Sequence, residues 1–230
     1  MDLLYILGKG SKWEDNELRF SLRSVEKHLK GYGSIYLIGE KPEWIKNVHH
    51  IPFKDRVGCK QANIMRKIYE GTKQPGLSSD FIFMNDDHFL LQDLHVNDIA
   101  FWYDGLLLDK FKRAANVPYA NCIHHVIDEL GDGKYFDIHT PIKYNRTLFR
   151  DVMDRFDWDN GSTFIIKSLY CNWLGIEGVQ LDDNKRDFHE WRFAVKHNEG
   201  KLWYSTPDHV GSGVRNYLNH LFPEKSGFEK

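Results

Sequence analysis

An apolar run that ends in two adjacent carboxylates places the strongest constraint on this chain. The segment 80–88 reads Asp-Phe-Ile-Phe-Met-Asn-Asp-Asp-His, so Asp86 and Asp87 closely follow four apolar side chains. A continuous apolar run of this length is typical of a strand covered on both faces, as in an α/β sheet. Such sheets place their sites just beyond the carboxyl ends of the strands. The segment therefore predicts a site at Asp86 and Asp87.

The two carboxylates indicate a cation. Neighbouring carboxylates repel each other unless a cation, a proton or a basic partner offsets their charge. Oxygen ligands of this kind suit Mg²⁺ or Mn²⁺ that carries the phosphates of a substrate. The alternative is a loop in which one Asp caps a helix and the other is solvated. The preceding strand and His88 favour the metal site, and His209, after the last predicted strand, is a further candidate ligand.

Composition narrows the class of protein. The chain has 230 residues, of which 41% are hydrophobic, and this is enough to form a sizeable core. The formal net charge of −2 provides no overall basic field for nucleic acid or an anionic membrane. Cys59, Cys122 and Cys171 share no C-x-x-C spacing, which argues against a disulfide framework and favours a reducing compartment. With no long apolar stretch and no basic leader, we expect a cytoplasmic protein.

The order of the predicted elements favours an α/β fold. Strands at 3–7, 34–38, 48–51 and 80–84 alternate with helices at 15–29 and 59–71. Such alternation implies a mostly parallel sheet covered on both faces. The remainder is predicted to be a more irregular α+β half, with strands at 119–123, 135–138 and 201–205 and helices at 146–156, 162–174 and 214–222. The polar stretch 180–190 is interpreted as a solvated connection, with a mobile loop near a site as the alternative.

Two arginines on the first predicted helix are candidates for contact with an anion. Arg19 and Arg23 lie four residues apart on one helical face, where like charges repel unless something negative faces them. A phosphate or a carboxylate would satisfy both side chains, and Glu26 offers an ordinary surface network as the alternative. Glu17, in the first turn of the same helix, is a candidate catalytic base, although the helix dipole favours an acid there regardless of function.

Groups near the ends of the strands are candidates for nucleotide contacts. Gly8, Lys9 and Gly10 form a flexible turn after the first strand, whose N–H groups can approach a phosphate or a base. Lys60 and Asn63 lie at the start of the second helix, where free N–H groups meet anions or sugar hydroxyls. Ordinary polarity at a helix start explains this second pair almost as well.

His139 is the candidate for proton transfer. It follows a strand-like run and precedes Thr140 and Pro141, so the proline should hold it in a defined orientation. That position suits proton transfer or a contact to a metal. A lone histidine is more often structural, and this alternative stays open.

Four segments of the chain, at 15–24, 85–87, 139–141 and 222–229, resemble in order and rough spacing the successive blocks of the Stealth family of capsule-polysaccharide phosphotransferases and their A-type-fold glycosyltransferase relatives. The resemblance implies one Rossmann-like A-type glycosyltransferase domain, a nucleotide-diphosphate-sugar donor, with a UDP-sugar expected, and Mn²⁺ or Mg²⁺ at the Asp pair. The opening segment 2–10 keeps only the outline of the usual first Stealth block, which favours transfer of a sugar over transfer of a sugar-1-phosphate.

The leading hypothesis is therefore a metal-dependent glycosyltransferase that moves a sugar to an acceptor hydroxyl. The whole chain, 1–230, forms its catalytic domain, with the donor bound by 1–92 and the acceptor by 93–230. The assigned residues are, for catalysis, Glu17, His139 and Asp87; for the donor, Gly8, Lys9, Gly10, Arg19, Arg23, Lys60, Asn63 and Asn85; and for the metal, Asp86, Asp87 and His209. The alternatives are a Stealth-like sugar-1-phosphate transferase and a non-catalytic carbohydrate-binding protein. A glycan is the expected acceptor, with a hydroxylated base in DNA as the alternative.

Overall fold

The computed structural model describes residues 1–56, 58–159 and 163–230. Within these ranges the strands are β1 Asp2–Leu7, β2 Leu29–Lys30, β3 Ile35–Gly39, β4 His49–Pro52, β5 Asp80–Met84, β6 His88–Leu90, β7 Leu94–His95, β8 Trp102–Tyr103, β9 Ile142–Asn145, β10 Val179–Gln180 and β11 Trp203–Ser205. The helices are α1 Asn16–His28, α2 Lys60–Thr72, α3 Leu107–Arg113, α4 Val117–Leu130, α5 Arg146–Arg155, α6 Ile166–Trp173, α7 Trp191–Asn198 and α8 Ser212–Leu221, with a 3-10 helix at Val96–Asp98.

A five-stranded sheet in the order β4-β3-β1-β5-β9 forms the centre of the molecule. Strands β4, β3, β1 and β5 are parallel, and only β9 at the edge is antiparallel to its neighbour. Parallel neighbours need crossover connections, and α1 and α2 provide two of them. The predicted α/β class with a mostly parallel central sheet is confirmed.

Side chains of β1 alternate between the two faces of the sheet. Leu3, Tyr5 and Leu7 pack in the core on the face that α1 covers, whereas Leu4 and Ile6 pack in the core on the face that α2 covers. All five side chains are buried. A strand buried on both faces has no room for a polar side chain until it leaves the sheet, and the polar site residues therefore follow the strand ends.

A two-stranded antiparallel pair extends the fold beyond the Asp pair. β6 pairs with β11 so that His88 lies opposite Ser205. Phe89 of β6 and Tyr204 of β11 pack with α7 and α8 in a third apolar cluster. This pairing brings a segment from late in the chain directly beside the turn after β5.

Two predicted elements of the later half differ from the structure. Residues 119–123, expected as a strand, lie inside α4, where Cys122, Ile123 and Val126 are buried at helical spacing and the Asn116 side chain accepts a hydrogen bond from the Tyr119 N–H. A strand prediction in this segment was wrong because a five-residue window is too short to distinguish the two periods.

The second difference concerns the edge of the sheet. Residues 135–138 do not form a regular strand in the described structure, and the strand that joins the sheet is instead β9. The helix expected at 162–174 begins at Ile166, and the start of the predicted range, Ser162, lies outside the described residues. The helix α7 was not predicted.

Candidate functional site

Asp86 and Asp87 lie in the turn between β5 and β6, on the floor of a cleft of about 1000 Å³. The cleft is lined by the loop after β1, the start of α2, the turn after β5, the start of α4, the loop that contains His139, and segments around Lys185 and Pro207. It therefore lies at the carboxyl ends of β1 and β5, which is the edge where the sequence places it.

Asp86 is the less stabilised of the two acids. Burial, together with the neighbouring charges of Asp87 and Glu17, raises the pKa of the Asp86 carboxyl to about 7. Glu17 is itself buried, and its Oε2 atom accepts a hydrogen bond from Ser11 Oγ at 2.8 Å. Three acidic side chains thus share one part of the cleft, and a cation there would relieve their repulsion.

Asp87 is anchored on one side only. Its Oδ2 atom accepts a hydrogen bond from Ser205 Oγ at 3.0 Å and lies 3.6 Å from Lys185 Nζ. Burial would raise the pKa of Asp87, but the Lys185 ammonium is the largest of several influences that hold it below its usual range. Its Oδ1 atom is buried and has no hydrogen-bond partner among the described residues. An unpartnered buried carboxylate oxygen is a position for a ligand.

His139 lies between Asp183 and Lys185 in a hydrogen-bonded chain, and Lys185 in turn forms an ion pair with Asp87. Asp183 accepts two hydrogen bonds from it, one from the backbone N–H at 3.0 Å and one from Nδ1 at 2.7 Å. Lys185 Nζ lies 3.1 Å from His139 Nε2. Because an ammonium only donates, Nε2 accepts, and we assign the imidazole proton to Nδ1. Burial would raise the pKa of Asp183, but the two hydrogen bonds from His139 outweigh it and lower this pKa.

His88 is fully buried beneath the Asp pair. Its Nδ1 atom accepts a hydrogen bond from the Asn85 N–H at 3.3 Å, and this contact holds the turn that presents the two acids. Burial, and next the charge of Lys167, keep the pKa of His88 well below the usual histidine value. His88 is therefore neutral and has a structural role in the turn.

Six lysines line the cleft and balance its six acids: Lys9, Lys12, Lys60, Lys67, Lys167 and Lys185. Two of these side chains are buried and fixed. Lys67 Nζ lies 2.7 Å from Asp55 Oδ1, and Lys167 Nζ donates to the carbonyl oxygens of Ile138 and Thr140 at 2.7 and 2.6 Å. Burial lowers the pKa of Lys167 to about 8. The lining has no formal excess of positive charge, so the exposed lysines such as Lys60, and not the overall charge, suit a phosphorylated ligand.

The glycine after β1 lies close to one of these pairs. A Cβ atom at Gly8 would lie 3.1 Å from Asp55 Oδ2 and 3.4 Å from Lys67 Nζ. A side chain there would press on the Asp55–Lys67 pair, so glycine keeps this part of the cleft open. Lys9, the next residue, is mostly exposed and lies 3.6 Å from Glu40.

Most of the residues predicted for the site line this one cleft. They are Gly8, Lys9, Gly10, Glu17, Lys60, Asn63, Asn85, Asp86, Asp87 and His139. Their roles in catalysis and binding stay predictions.

Arg19 and Arg23 lie elsewhere. The guanidinium of Arg23 donates to both oxygens of Glu229, from Nε at 2.7 Å and from a terminal nitrogen at 2.8 Å, and to the Phe222 carbonyl at 2.9 Å. Arg19 lies 3.4 Å from the same carboxylate and over the ring of Trp44. Neither arginine is among the residues that line the cleft, because both side chains lie at the buried carboxylate of Glu229.

His209 is exposed and is not among the residues that line the cleft, whereas its neighbour Asp208 is. Among the described residues, no group of three or more histidine, cysteine or acidic side chains is arranged to hold a metal. The three-ligand set of Asp86, Asp87 and His209 is therefore not assembled. The Asp pair provides oxygen donors of the type that Mg²⁺ and Mn²⁺ accept, and these ions usually complete their shell with water and phosphate.

Three residues of the site were missed from the sequence. Asp183 and Lys185 fall in the polar stretch that was interpreted as a solvated connection, and Ser205 ends a predicted strand. The backbone of this stretch bonds to β11, with the Ser205 N–H donating to the Asn184 carbonyl at 3.0 Å. The alternative interpretation of this stretch, as a loop near a site, was the available signal, but the pairing of β11 with β6 is not visible in the sequence.

No helix in the described part of the chain is both long and apolar enough to cross a bilayer.

No protein-family model matches the chain, and its similarities to known proteins are partial. The chain is 30% identical over 107 residues to the human (Homo sapiens) N-acetylglucosamine-1-phosphotransferase subunits alpha/beta. This match covers 38% of the chain and 8% of the length of that protein. The fold is also similar to the crystal structure of the apo-form glycosyltransferase GlyE of Streptococcus pneumoniae, with a TM-score of 0.44 and 10% identity over 96% of this chain and 59% of that one.

Proposed function

We propose that the cleft belongs to a nucleotide-sugar-dependent transferase that moves a sugar-1-phosphate from a nucleotide-diphosphate-sugar to an acceptor hydroxyl. The observation that carries the proposal is the Asp86–Asp87 pair at the carboxyl end of β5, in a cleft lined by six lysines. The similarity to an N-acetylglucosamine-1-phosphotransferase supports phosphoryl transfer as the step and UDP-N-acetylglucosamine as the first donor to test.

The Asp pair fits a divalent cation. Asp87 Oδ1 is a buried oxygen with no partner among the described residues, and the carboxylate of Asp86 is destabilised by its neighbours. Asp86 and Asp87 would hold Mg²⁺ or Mn²⁺, with Glu17 close enough to influence the charge of the pair. When bound, such an ion neutralises the diphosphate and the charge that develops on the leaving group.

The lysines of the cleft bind and orient the phosphates of the donor. Lys60 at the start of α2 is mostly exposed and lies 3.8 Å from Asp208, so this weak surface pair can yield to a phosphate. Lys185, between His139 and Asp87, is placed to contact the phosphoryl group that is transferred. Charge fixed at this point stabilises the transition state more than the ground state, since phosphoryl transfer is governed by positioning and electrostatics.

His139 is the base that takes the proton of the acceptor hydroxyl. Asp183 holds the proton on Nδ1 and orients the ring, which leaves the lone pair of Nε2 to accept a proton. Lys185 Nζ occupies that lone pair at 3.1 Å in the ligand-free protein. When the donor phosphates draw Lys185 away, Nε2 becomes free for the acceptor. The order of binding is then donor first and acceptor second.

Transfer of the sugar alone is the second candidate. The opening segment 2–10, which keeps only the outline of the first Stealth block, is the observation that favours it. In that reaction the sugar–phosphate bond breaks and a nucleoside diphosphate leaves, whereas in the first reaction the diphosphate breaks and a nucleoside monophosphate leaves. The identity of the released nucleotide distinguishes the two.

The test is incubation of the purified protein with UDP-N-acetylglucosamine and Mn²⁺, followed by chromatography of the nucleotides. Slow release of UMP supports sugar-1-phosphate transfer, and release of UDP overturns it in favour of sugar transfer. Both activities should disappear in Asp87→Asn. Calorimetry with the same donor provides a second readout: binding of free N-acetylglucosamine that is independent of metal and nucleotide, with no nucleotide released, would instead establish a non-catalytic carbohydrate-binding protein.

A further inference from the structure

Two cysteines from different walls of the cleft lie in contact. Cys59 precedes the first residue of α2, and Cys122 lies in the first half of α4. Their Sγ atoms are 3.9 Å apart. Residues at the starts of both helices line the cleft, Lys60 and Asn63 from α2 and Tyr119 from α4. A covalent link between the two sulfur atoms would therefore join two walls of the candidate site.

The two thiols differ in their surroundings. Cys59 is half-buried and lines the cleft, so a small oxidant can reach it, whereas Cys122 is buried. Thr163 contacts both, with its Oγ1 atom 3.3 Å from Cys59 Sγ and 3.0 Å from Cys122 Sγ. Cys59 Sγ also lies at the N-terminus of α2, where backbone N–H groups stabilise a negative charge.

The proton affinities of the thiols differ in the same direction. Burial opposes ionisation of Cys59, but the hydrogen bond from Thr163 and the nearby N–H groups of Gln61 and Ala62 outweigh it and lower the pKa of this thiol. Burial raises the pKa of Cys122 to about 11. Cys59 is thus the thiol that reacts first, and Cys122 is the neighbour that resolves the product.

We propose that Cys59 and Cys122 form a reversible oxidation site, at which a hydroperoxide converts the two thiols to a disulfide across the cleft. The Cys59 thiolate attacks the peroxide, the O–O bond breaks, and Cys59 becomes a sulfenic acid while water or an alcohol leaves. The Cys122 sulfur then displaces the sulfenic hydroxyl as water, with its thiol proton. One hydroperoxide is reduced by two electrons for each disulfide formed, so the step is balanced.

The disulfide changes the shape of the cleft. A disulfide has an S–S distance of about 2.05 Å, so the sulfur atoms must approach by roughly 1.9 Å. Because Cys59 directly precedes α2 and Cys122 lies in α4, the bond tethers the start of α2, with Lys60 and Asn63, to α4. We expect the oxidised protein to bind a nucleotide-sugar at least tenfold more weakly, and this consequence rests on the proposed function.

The experiment that tests the site treats the whole protein with hydrogen peroxide near stoichiometry and measures its intact mass without reductant. The wild-type protein should lose two hydrogens, regain them with dithiothreitol, and give a Cys59–Cys122 linked peptide after proteolysis. Cys59→Ser and Cys122→Ala should form no link. Cys171→Ser is the matched control, because Cys171 is buried in α6, and it should behave as the wild type does.

The outcomes are separable from those of the proposed function. A mass gain of oxygen at Cys59 without a link, or a link that involves Cys171, would overturn the oxidation site. If circular dichroism shows that Cys122→Ala is unfolded, a second sample takes the place of this variant. It is the wild-type protein with Cys59 alkylated before peroxide is added, and it should form no link. Because the mass is measured without substrate, a disulfide that forms in a protein with no transferase activity would support the site and refute only the proposed function.

Discussion

Two clusters beside α1 each contain a pair of like charges, but they differ in how that charge is compensated. We call Arg19, Arg23 and Glu229 the closed cluster, and Glu17, Asp86 and Asp87 the open cluster. In the first, Glu229 is buried between Arg23 and Arg19, and two of its hydrogen bonds from Arg23 are 2.8 Å or shorter. In the second, Asp86 and Asp87 face an open cleft, the pKa of Asp86 is raised, and one oxygen of Asp87 has no partner in the described structure. Charge that is compensated within the chain stabilises the fold, whereas uncompensated charge at a cleft is available to bind a ligand.

The largest effect should follow from neutralising the open cluster. Asp87→Asn and Asp86→Asn should each lower kcat/KM for the nucleotide-sugar by about a thousandfold or more, since both remove charge from the cation site. The melting temperature of Asp86→Asn should not fall, because the repulsion that raises the pKa of Asp86 is relieved. Asp87→Asn should melt somewhat lower, because it loses the attraction to Lys185 that holds the pKa of Asp87 down. Asp128→Asn, on the exposed side of α4, is the control and should leave kinetics unchanged. Near wild-type turnover in both Asp variants would show that the Asp pair, like the closed cluster, is not needed for catalysis.

The hydrogen-bonded chain beside the open cluster should give the next largest effect. His139→Ala should lower kcat by about 10²- to 10⁴-fold with little change in donor affinity, as expected for loss of a general base. Asp183→Asn should lower kcat less and also shift the pH profile, because the Asn side chain no longer fixes the proton on Nδ1. Equal losses in donor affinity and kcat for His139→Ala would show that this residue binds the donor instead.

A substitution in the closed cluster should lower the free energy of unfolding and leave the transferase activity unchanged. Glu229→Ala leaves two arginines beside an apolar segment, and removal of one partner of a buried pair costs about 3–5 kcal/mol. Urea unfolding should show that loss, while activity per folded molecule in the cold stays within twofold of wild type. Glu224→Ala, an exposed acid in the same segment, should have no effect on either measurement. A loss of activity in the folded Glu229→Ala variant would instead support the sequence-based prediction that Arg19 and Arg23 act at the donor site.

Competition between protons and Mn²⁺ at Asp86 should give a smaller effect that varies gradually with pH. Because the pKa of Asp86 is raised to about 7, protons should compete with Mn²⁺, and affinity for the ion should fall up to tenfold for each pH unit below 7. Folding stability should change with pH in the opposite direction to Mn²⁺ affinity. The folded protein binds the Asp86 proton more tightly than the unfolded chain does, so the stability that this proton contributes is lost as pH rises toward 7. Asp86→Asn should therefore raise the melting temperature more at pH 8 than at pH 5.5.

The smallest effect should come from an exposed pair at the rim. Lys9 and Glu40 are 3.6 Å apart, and the lysine side chain is 76% exposed. Lys9→Ala should change stability by less than about 1 kcal/mol, as for other surface pairs. If Lys9 contacts the donor, KM should rise a few-fold with kcat unchanged, and an unchanged KM would place it outside the donor site.

The sequence predicted the parts of the fold that local patterns determine. The apolar run of β5 was located at its observed bounds, and β1, β3, α1 and α2 were located within one residue at either end. The burial of these elements repeats with the local period of a strand or a helix, so their periodicity reports that burial directly. The cleft at the end of β5 followed from the same pattern.

The remaining features depend on contacts between distant residues. Arg23 is satisfied by a carboxylate 206 positions away, and Asp183 approaches His139 only because β11 pairs with β6. Neither contact leaves a local pattern, which explains why the arginines were assigned to the donor and Asp183 was not assigned at all. A repulsive pair at helical spacing shows that an anion is needed, but it does not identify the anion.

The distance along the chain between Arg23 and Glu229 also affects the order of events during synthesis. At about 5–20 residues per second, a ribosome needs roughly 10 to 40 s to add the 206 positions that separate them. During that interval α1 carries two arginines without their carboxylate, and the nascent protein cannot complete the packing of this helix. Chaperones that recognise basic and apolar segments therefore have a defined period in which to act, and it ends when Glu229 leaves the exit tunnel.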